Sequence, residues 1–412
     1  MNPPDPVINA RMTILIPIRI SIFFKLCKES LMSMKILYIS SENVPGNTGG
    51  SVRTLEISKS LKRLGHGVII FTNREGGQKR KEVIDGVKII RSRIKFGKTL
   101  PALGIRRLGI FKKDFDIVVE RYSIFGGLGA IYSKLRGTPL VLEVNAPHLE
   151  EALATRVIKG KLVALLARRW KDVQLRTAAK IITTKKALAH RYEEKAVEMV
   201  LGGVNLAMFR PGLRNSGKAN KIRKIYGLEN NFVAVFHGAF TRWHGIIDLM
   251  KAAKIIEKRD KKIKFLFVGG GELEEKARLA AGRNCIFAGN KDYSEIPYYL
   301  AACDAGIAPY GILPKHLKKI GFYWNPMKIF EYIALGLPVV TADYKELRDI
   351  VGGNGVFYNP GNYKDLAEAV LKIKSFRGIR KNYMSNAKKY SWGNQAKQLE
   401  KILEEIIEQN RK

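Results

Sequence analysis

The chain has 412 residues, too many for one ordinary core, so two domains are expected. Hydrophobic residues make up 46% and charged ones 27%, which excludes a disordered or fibrous chain. Lys and Arg number 73 against 37 Asp and Glu, a formal charge of +36. That charge suits nucleic acid, an anionic membrane face or phosphorylated substrates, unless it is simply a basic composition throughout.

Residues 1–33 read as an extension ahead of the first domain. Their apolar stretch 14–26 is broken by Pro17, Arg19 and Lys25 and is too short to span a bilayer. From Met34 onward, short apolar runs alternate with longer helical patterns. Residues 35–39, 67–71, 87–90, 117–120, 140–144 and 181–184 read as strands, with helices over 52–64 and 152–180 among them. The rhythm restarts near residue 200. Strands are expected at 232–237, 264–268, 285–288, 305–309, 338–341 and 355–358, and helices at 246–258, 272–281, 295–301, 327–334 and 365–373. Residues 212–220 are polar and contain glycine, as a linker or surface loop would. The last helix, 391–409, is amphipathic. The fold class is therefore α/β, with two Rossmann-like doubly wound domains facing across a cleft. The expected boundaries are 34–205, 206–385 and a C-terminal helix in 386–412 that can pack on either half, the first domain among them.

Three cysteines, Cys27, Cys285 and Cys303, are odd in number and far apart. They form neither a disulfide framework nor a zinc-site spacing, so a reducing cytosol is the expected compartment.

Glycine-containing turns follow three of these strands. Thr48-Gly49-Gly50 lies between strand one and its helix, where backbone N–H groups and a helix N-terminus favour an anion. A plain flexible turn accounts for it equally well. Neither Gly-x-Gly-x-x-Gly nor Gly-x-x-x-x-Gly-Lys-Ser/Thr is present there, so the NAD and ATP signatures are absent. Gly238-Ala239-Phe240-Thr241-Arg242-Trp243-His244-Gly245 follows strand 232–237, and its glycine, Arg242 and His244 suit a diphosphate. Gly269-Gly270-Gly271 ends strand 264–268 and lets the chain pass close to a nucleotide base. In the helix that begins near Pro326, Lys328 and Glu331 share a face near the N-terminus. A carboxylate there can accept both hydroxyls of a ribose while the lysine meets phosphate. A surface salt bridge between the two is the plainer alternative.

Taken together these residues resemble the retaining glycosyltransferases of family 4, of GT-B fold, from about Met34 to the C-terminus. The likeness is carried by Thr48-Gly49-Gly50, Leu64-Gly65-His66-Gly67, Glu120-Arg121-Tyr122, Glu143-Val144-Asn145, Gly203-Val204-Asn205 and Trp243-His244-Gly245. Its strongest part is Pro326-Met327-Lys328 with Glu331-Tyr332 and Gly336-Leu337-Pro338. The resemblance implies a nucleoside-diphosphate-sugar donor, a glycan or lipid-linked acceptor, and no metal or other cofactor. Glu331 would hold the donor ribose, and Arg242 with Lys328 would neutralise the diphosphate. Gly49, Gly50, Gly238, His244 and Gly270 would line the donor. Either Asn145 or His148 would lie near the donor sugar. The chain departs from the family pattern at Tyr323, where many members carry a first glutamate, and at Ala239, where an arginine is usual. A nucleotide-sugar epimerase on the same fold stays open as an alternative. Asp114-Phe115-Asp116 is expected to cap a strand.

Positive charge concentrates in two stretches, 79–113 and 156–191, the latter interleaved with Leu162, Val163, Leu165, Leu166 and Trp170. Both fall in the first half. They are expected to seat the protein on the anionic inner face of the cell membrane, or else to form a solvated helix face and loop. No recognition motif accompanies the charge, so no nucleic-acid partner is expected.

Overall fold

A computed structural model describes residues 33–92, 97, 113–314, 318, 320–376 and 383–411. The expected extension, apart from Ser33, lies outside these residues, as does much of the first basic stretch.

The first half is an eight-stranded sheet. Its strands are β1 (Lys35–Asn43), β2 (Gly67–Asn73), β3 (Lys81–Ile84), β4 (Val87–Ser92), β5 (Ile117–Arg121), β6 (Leu140–Val144), β7 (Lys180–Thr183) and β8 (Ala196–Glu198), in the order β3-β4-β2-β1-β5-β6-β7-β8. Every pairing is parallel except β3 with β4. The second half is a six-stranded parallel sheet of β9 (Phe232–His237), β10 (Ile263–Val268), β11 (Cys285–Gly289), β12 (Ala305–Ala308), β13 (Val339–Ala342) and β14 (Gly355–Tyr358). Its order, β11-β10-β9-β12-β13-β14, reverses direction between β9 and β12. The first sheet reverses between β1 and β5. In open α/β sheets such reversals leave a crevice outside the carboxyl ends of the strands, where ligands bind.

Three departures from the sequence reading have local causes. Residues 152–180 form two helices, His148–Ala154 and Lys161–Thr177. The break falls where Arg156 takes φ 57° and the Val157 N–H turns back to Ala152 O at 2.9 Å, closing the first helix without the usual glycine. The stretch 212–220 is not a loop: Ser216 Oγ accepts from Ala219 N and caps the helix Gly217–Ile225. The hairpin β3–β4 turns through Asp85-Gly86, both at positive φ, a tight-turn pair bounded by Ile84 and Val87.

The two halves are joined where Val204 and Ser391 pair as an isolated parallel bridge. Val204 N donates to Tyr390 O at 2.9 Å and Trp392 N to Val204 O at 3.1 Å. A Cβ at Gly203 would stand 2.7 Å from the Trp392 ring, so glycine there admits the indole. Beyond this point the helix Trp392–Arg411 lays Trp392, Leu399, Leu403 and Ile406 into the core of the first half, against Ile36, Ile57 and Leu61. His66 fastens it further: Nδ1 accepts from Met34 N, and Nε2 lies 2.8 Å from Glu400 Oε1.

Truncating this anchor is expected to be costly. Trp392→Ala should destabilise the chain by about 3–5 kcal/mol, the usual loss for a buried aromatic. Chemical denaturation reads the change, and a loss below about 1 kcal/mol would mean that the helix does not depend on its hinge contact.

Candidate functional site

Facing carboxyl ends of the two sheets enclose a cavity of about 430 Å³. Gly49 lines it from the first half, and Gly238, His244, Gly270, Lys328 and Glu331 line it from the second. The close approach of β9 and β10 turns makes it possible. Gly238 has φ 119° and Gly269 φ 131°, and a Cβ on Gly269 would come within 2.2 Å of Gly238 O. Only glycine lets the two turns meet here and leaves their backbone facing the cavity.

On the opposite wall Thr48 caps the helix Gly49–Arg63, its hydroxyl accepting from Ser51 N at 3.1 Å and donating to Glu42 Oε2 at 2.9 Å. Gly50 is required beneath that turn, since a Cβ there would press on the Glu42 carboxylate. The first N–H groups of a helix have no partner within it; that of Ser51 is taken by Thr48, while Gly49 lines this cavity.

Lys328 and Glu331 occupy the first turns of the helix Met327–Ala334, and both are buried. They do not form the salt bridge that their spacing allows. Lys328 Nζ is buried with no hydrogen-bond partner among the described residues. It lies 4.2 Å from the centroid of the Phe236 ring and 5.7 Å from that of Tyr310. Burial pushes its pKa down to about 7, against a smaller upward pull from Glu331. Glu331 Oε1 accepts from Tyr293 OH at 2.8 Å. His237 Nε2 stands 2.6 Å from Oε2 but is not aligned as a hydrogen bond. Neither Tyr293 nor His237 stands out in the sequence. His237 closes β9 one residue before the glycine turn, whereas Tyr293 sits in a loop with no motif of its own.

His244 borders this cavity and a second one of about 300 Å³. Its Nδ1–H donates to Ala239 O at 2.6 Å, which leaves Nε2 with a free lone pair. Burial first, then Lys328, pushes its pKa down to about 3, so the ring is neutral. A neutral imidazole so held accepts a hydroxyl; it does not offset a phosphate charge. Arg242, expected at the diphosphate, is exposed and lines neither cavity. The three-residue turn Arg242–His244 sends His244 inward and Arg242 outward.

The second cavity brings together Gly50, Asn145 and His148 with Arg53, Arg121 and Trp243. His148 Nε2 lies 3.3 Å from Asn145 Oδ1, and its ring stacks on Tyr122. Burial, with Arg121 next, pushes the His148 pKa down to about 4. Tyr323 lies fully buried behind this wall and donates to Glu151 Oε1 at 2.7 Å.

Other motif residues prove to be scaffolding. Glu120 accepts the N–H groups of Gly127 and Gly129, both at 2.8 Å, and so caps the helix Leu128–Arg136. Its burial outweighs those bonds and pushes its pKa up to about 7. Glu143 pairs with Arg53 and accepts from Tyr38 OH at 2.7 Å, tying the helix behind Gly49-Gly50 to β6. Asp116 Oδ2 accepts from Lys35 N at 2.6 Å and so caps the start of β1, whereas Asp114 pairs with Arg136 at the end of the helix Leu128–Arg136.

Comparison with known proteins agrees with this architecture. Residues 231–375 match the family model described as glycosyl transferases group 1, and residues 47–207 match that of glycosyltransferase family 4. D-inositol 3-phosphate glycosyltransferase 1 of Catenulispora acidiphila is 25% identical, over 89% of this chain and 93% of its own. The capsular polysaccharide biosynthesis glycosyltransferase CapM of Staphylococcus aureus is 24% identical, over 69% of this chain and 74% of its own. Among solved structures, Anabaena HepE with UDP-glucose superposes at a TM-score of 0.66 and 18% identity, covering 90% of this chain and 100% of that one. Sucrose-phosphate synthase of Thermosynechococcus elongatus gives 0.67 and 17%, covering 90% and 99%. Both family models and the paired parallel sheets lead to one conclusion: the chain belongs to the group 1, family 4 glycosyltransferases of GT-B fold.

Proposed function

We propose that the first cavity binds a nucleoside-diphosphate sugar and that the second holds the hydroxyl-bearing acceptor to which the sugar passes. The observation that carries this reading is the unpartnered, buried ammonium of Lys328 beside the buried Glu331 in a glycine-lined cavity. An ammonium in that position needs an anion. Glu331 accepts the two ribose hydroxyls, displacing or joining Tyr293. Lys328, with the helix start at Gly49-Gly50, meets the diphosphate. The neutral His244, on the border of both cavities, accepts a hydroxyl of the sugar. HepE, of the same fold, is known with UDP and with UDP-glucose, which supports a donor of this class.

Transfer retains the anomeric configuration, as the family resemblance implies. The bond from the anomeric carbon to the diphosphate oxygen breaks, and its electron pair leaves with the nucleoside diphosphate. The acceptor oxygen bonds to the same face of that carbon and loses its proton to the departing phosphate. Charge develops on the leaving group, where Lys328 and the helix N-terminus are already placed. With those groups supplying positive charge, the reaction is proposed to need no metal.

The acceptor is proposed to be a lipid-linked or polysaccharide precursor reached from the cytoplasmic face of the membrane. No helix among the described residues is long and apolar enough to cross a bilayer. The helix Lys161–Thr177 instead leaves Leu162, Val163, Leu165 and Leu166 exposed, next to Val157, which is 77% exposed. Lys159, Lys161, Arg168 and Arg169 are exposed among them. Apolar side chains amid basic ones suit an anionic interface, at about 1 kcal/mol for each basic residue near the surface.

Two measurements follow. Glu331→Gln and Lys328→Met should each weaken nucleotide-sugar binding about ten- to a hundredfold, the worth of one charge-assisted bond, while Arg242→Ala leaves it unchanged. Calorimetric titration decides, and donor affinity untouched by either cavity variant would remove that residue from the site. The full chain should also co-sediment with phosphatidylglycerol-rich vesicles at low salt and release as salt rises. Leu162→Asp with Leu166→Asp should abolish that binding, and a wild-type chain that stays in the supernatant would end the membrane proposal.

A further inference from the structure

The second cavity presents more hydrogen-bond donors than its own side chains satisfy. Arg53 is 1% exposed and commits Nε and Nη2 to Glu143, which leaves Nη1 buried with no acceptor. Arg121, at the carboxyl end of β5, lines the same cavity; its charge acts on Glu143 across the strand pair, but among the described residues its side chain has no hydrogen bond or close ion pair. Two carboxylates lie near. Glu143 is taken by Arg53 and Tyr38, and Glu151 accepts from Tyr323. His148 is held neutral, so it adds no charge. Opposite the guanidinium groups, Trp243 packs on Trp324 at 5.9 Å, and Trp324 stacks on Tyr310 at 5.9 Å. These rings give a face against which a pyranose or cyclitol ring can lie.

We infer that the acceptor carries a phosphate group, seated between Arg121 and Nη1 of Arg53, with its ring against Trp243. The inference rests on reading this cavity as the acceptor side. The two guanidinium groups come from different elements, Arg53 from the helix Gly49–Arg63 and Arg121 from the end of β5, and line one cavity. A tetrahedral phosphate accepts from both, whereas a planar carboxylate pairs with a single fork. Nη1 is buried without an acceptor, and a ligand oxygen there supplies the one it lacks. The phosphate thus selects the acceptor, and the neutral hydroxyl beside it reacts.

The test uses the full chain with a saturating amount of whichever nucleoside diphosphate raises its melting temperature most, so that the donor cavity is filled. Glucose 6-phosphate, myo-inositol 1-phosphate and inorganic phosphate are then titrated against glucose and myo-inositol. At least one phosphorylated compound should bind tenfold or more tightly than its neutral parent. Arg121→Met should erase that preference and Arg121→Lys keep part of it, with nucleotide affinity unchanged in both. Equal binding of phosphorylated and neutral compounds, or no binding of either, overturns the inference. So does an Arg121→Met variant that loses nucleotide affinity instead, because the cation then belongs to the donor. A chain that binds no nucleoside diphosphate at all overturns the donor reading first, and this one with it.

Discussion

An ammonium buried without a partner is the constraint on which the rest of the site depends. Moving the Lys328 pKa from its ordinary 10.5 to about 7 corresponds to a few kcal/mol against the charged form. A fold does not keep such a group for stability, since a methionine would fill the same space between Phe236 and Tyr310 without that cost. Glu331 and the Phe236 ring offset only part of that cost, and an anion entering the cavity offsets more of it. The free site is therefore poised, with its cation half-neutral and its carboxylate, Glu331, held ready by Tyr293.

The surrounding architecture serves to bring a second surface to that cation. Each sheet reverses its strand order once, and each reversal opens a crevice at the carboxyl ends of its strands. Setting the two crevices face to face puts Gly49 of one half 3.5 Å, by its would-be Cβ, from Met327 of the other. The hinge pairing of Val204 with Ser391, and the helix that follows Trp392, fix one half on the other. Tyr323 and Glu151 join the halves again across the cleft, as do Lys185 and Glu346 at 2.8 Å. At the centre, His244 borders both cavities and sets one neutral imidazole between them.

Most of the scaffold was legible in the sequence because buried parallel strands are short runs of Val, Ile and Leu that stand out against polar helices. β6, β9 and β14 fall where the apolar runs place them. β3 was missed because its Lys81-Glu82-Val83-Ile84 has only a half-exposed apolar face, although Asp85-Gly86 was a usable turn signal. The helix break at Arg156 carried no such signal, since a non-glycine residue supplies the left-handed turn. Within the site, spacing placed Lys328 and Glu331 on one helix face but could not say whether they would pair. Burial of both beside a cavity decided that. Arg242 and His244 are the two ends of one three-residue turn, and only its geometry determines which of them faces inward. Tyr293 and His237 depend on tertiary packing alone. The motif acids Glu120 and Glu143 carry part of the family likeness in sequence, and in the structure they hold a helix start and a buried arginine.

The central claim is that a nucleotide sugar charges Lys328. The free amine has a pKa of about 7, and a bound diphosphate raises it, so above pH 7 binding must draw in a proton and weaken as pH rises. The diphosphate of a nucleotide sugar is a diester without a titrating proton of its own near neutrality. Calorimetry at pH 8 in buffers of differing ionisation enthalpy therefore reads the lysine. The account predicts uptake of nearly one proton per ligand in the wild type and none in Lys328→Met. Proton-neutral binding by the wild type, with an affinity flat from pH 7 to pH 9, would contradict it.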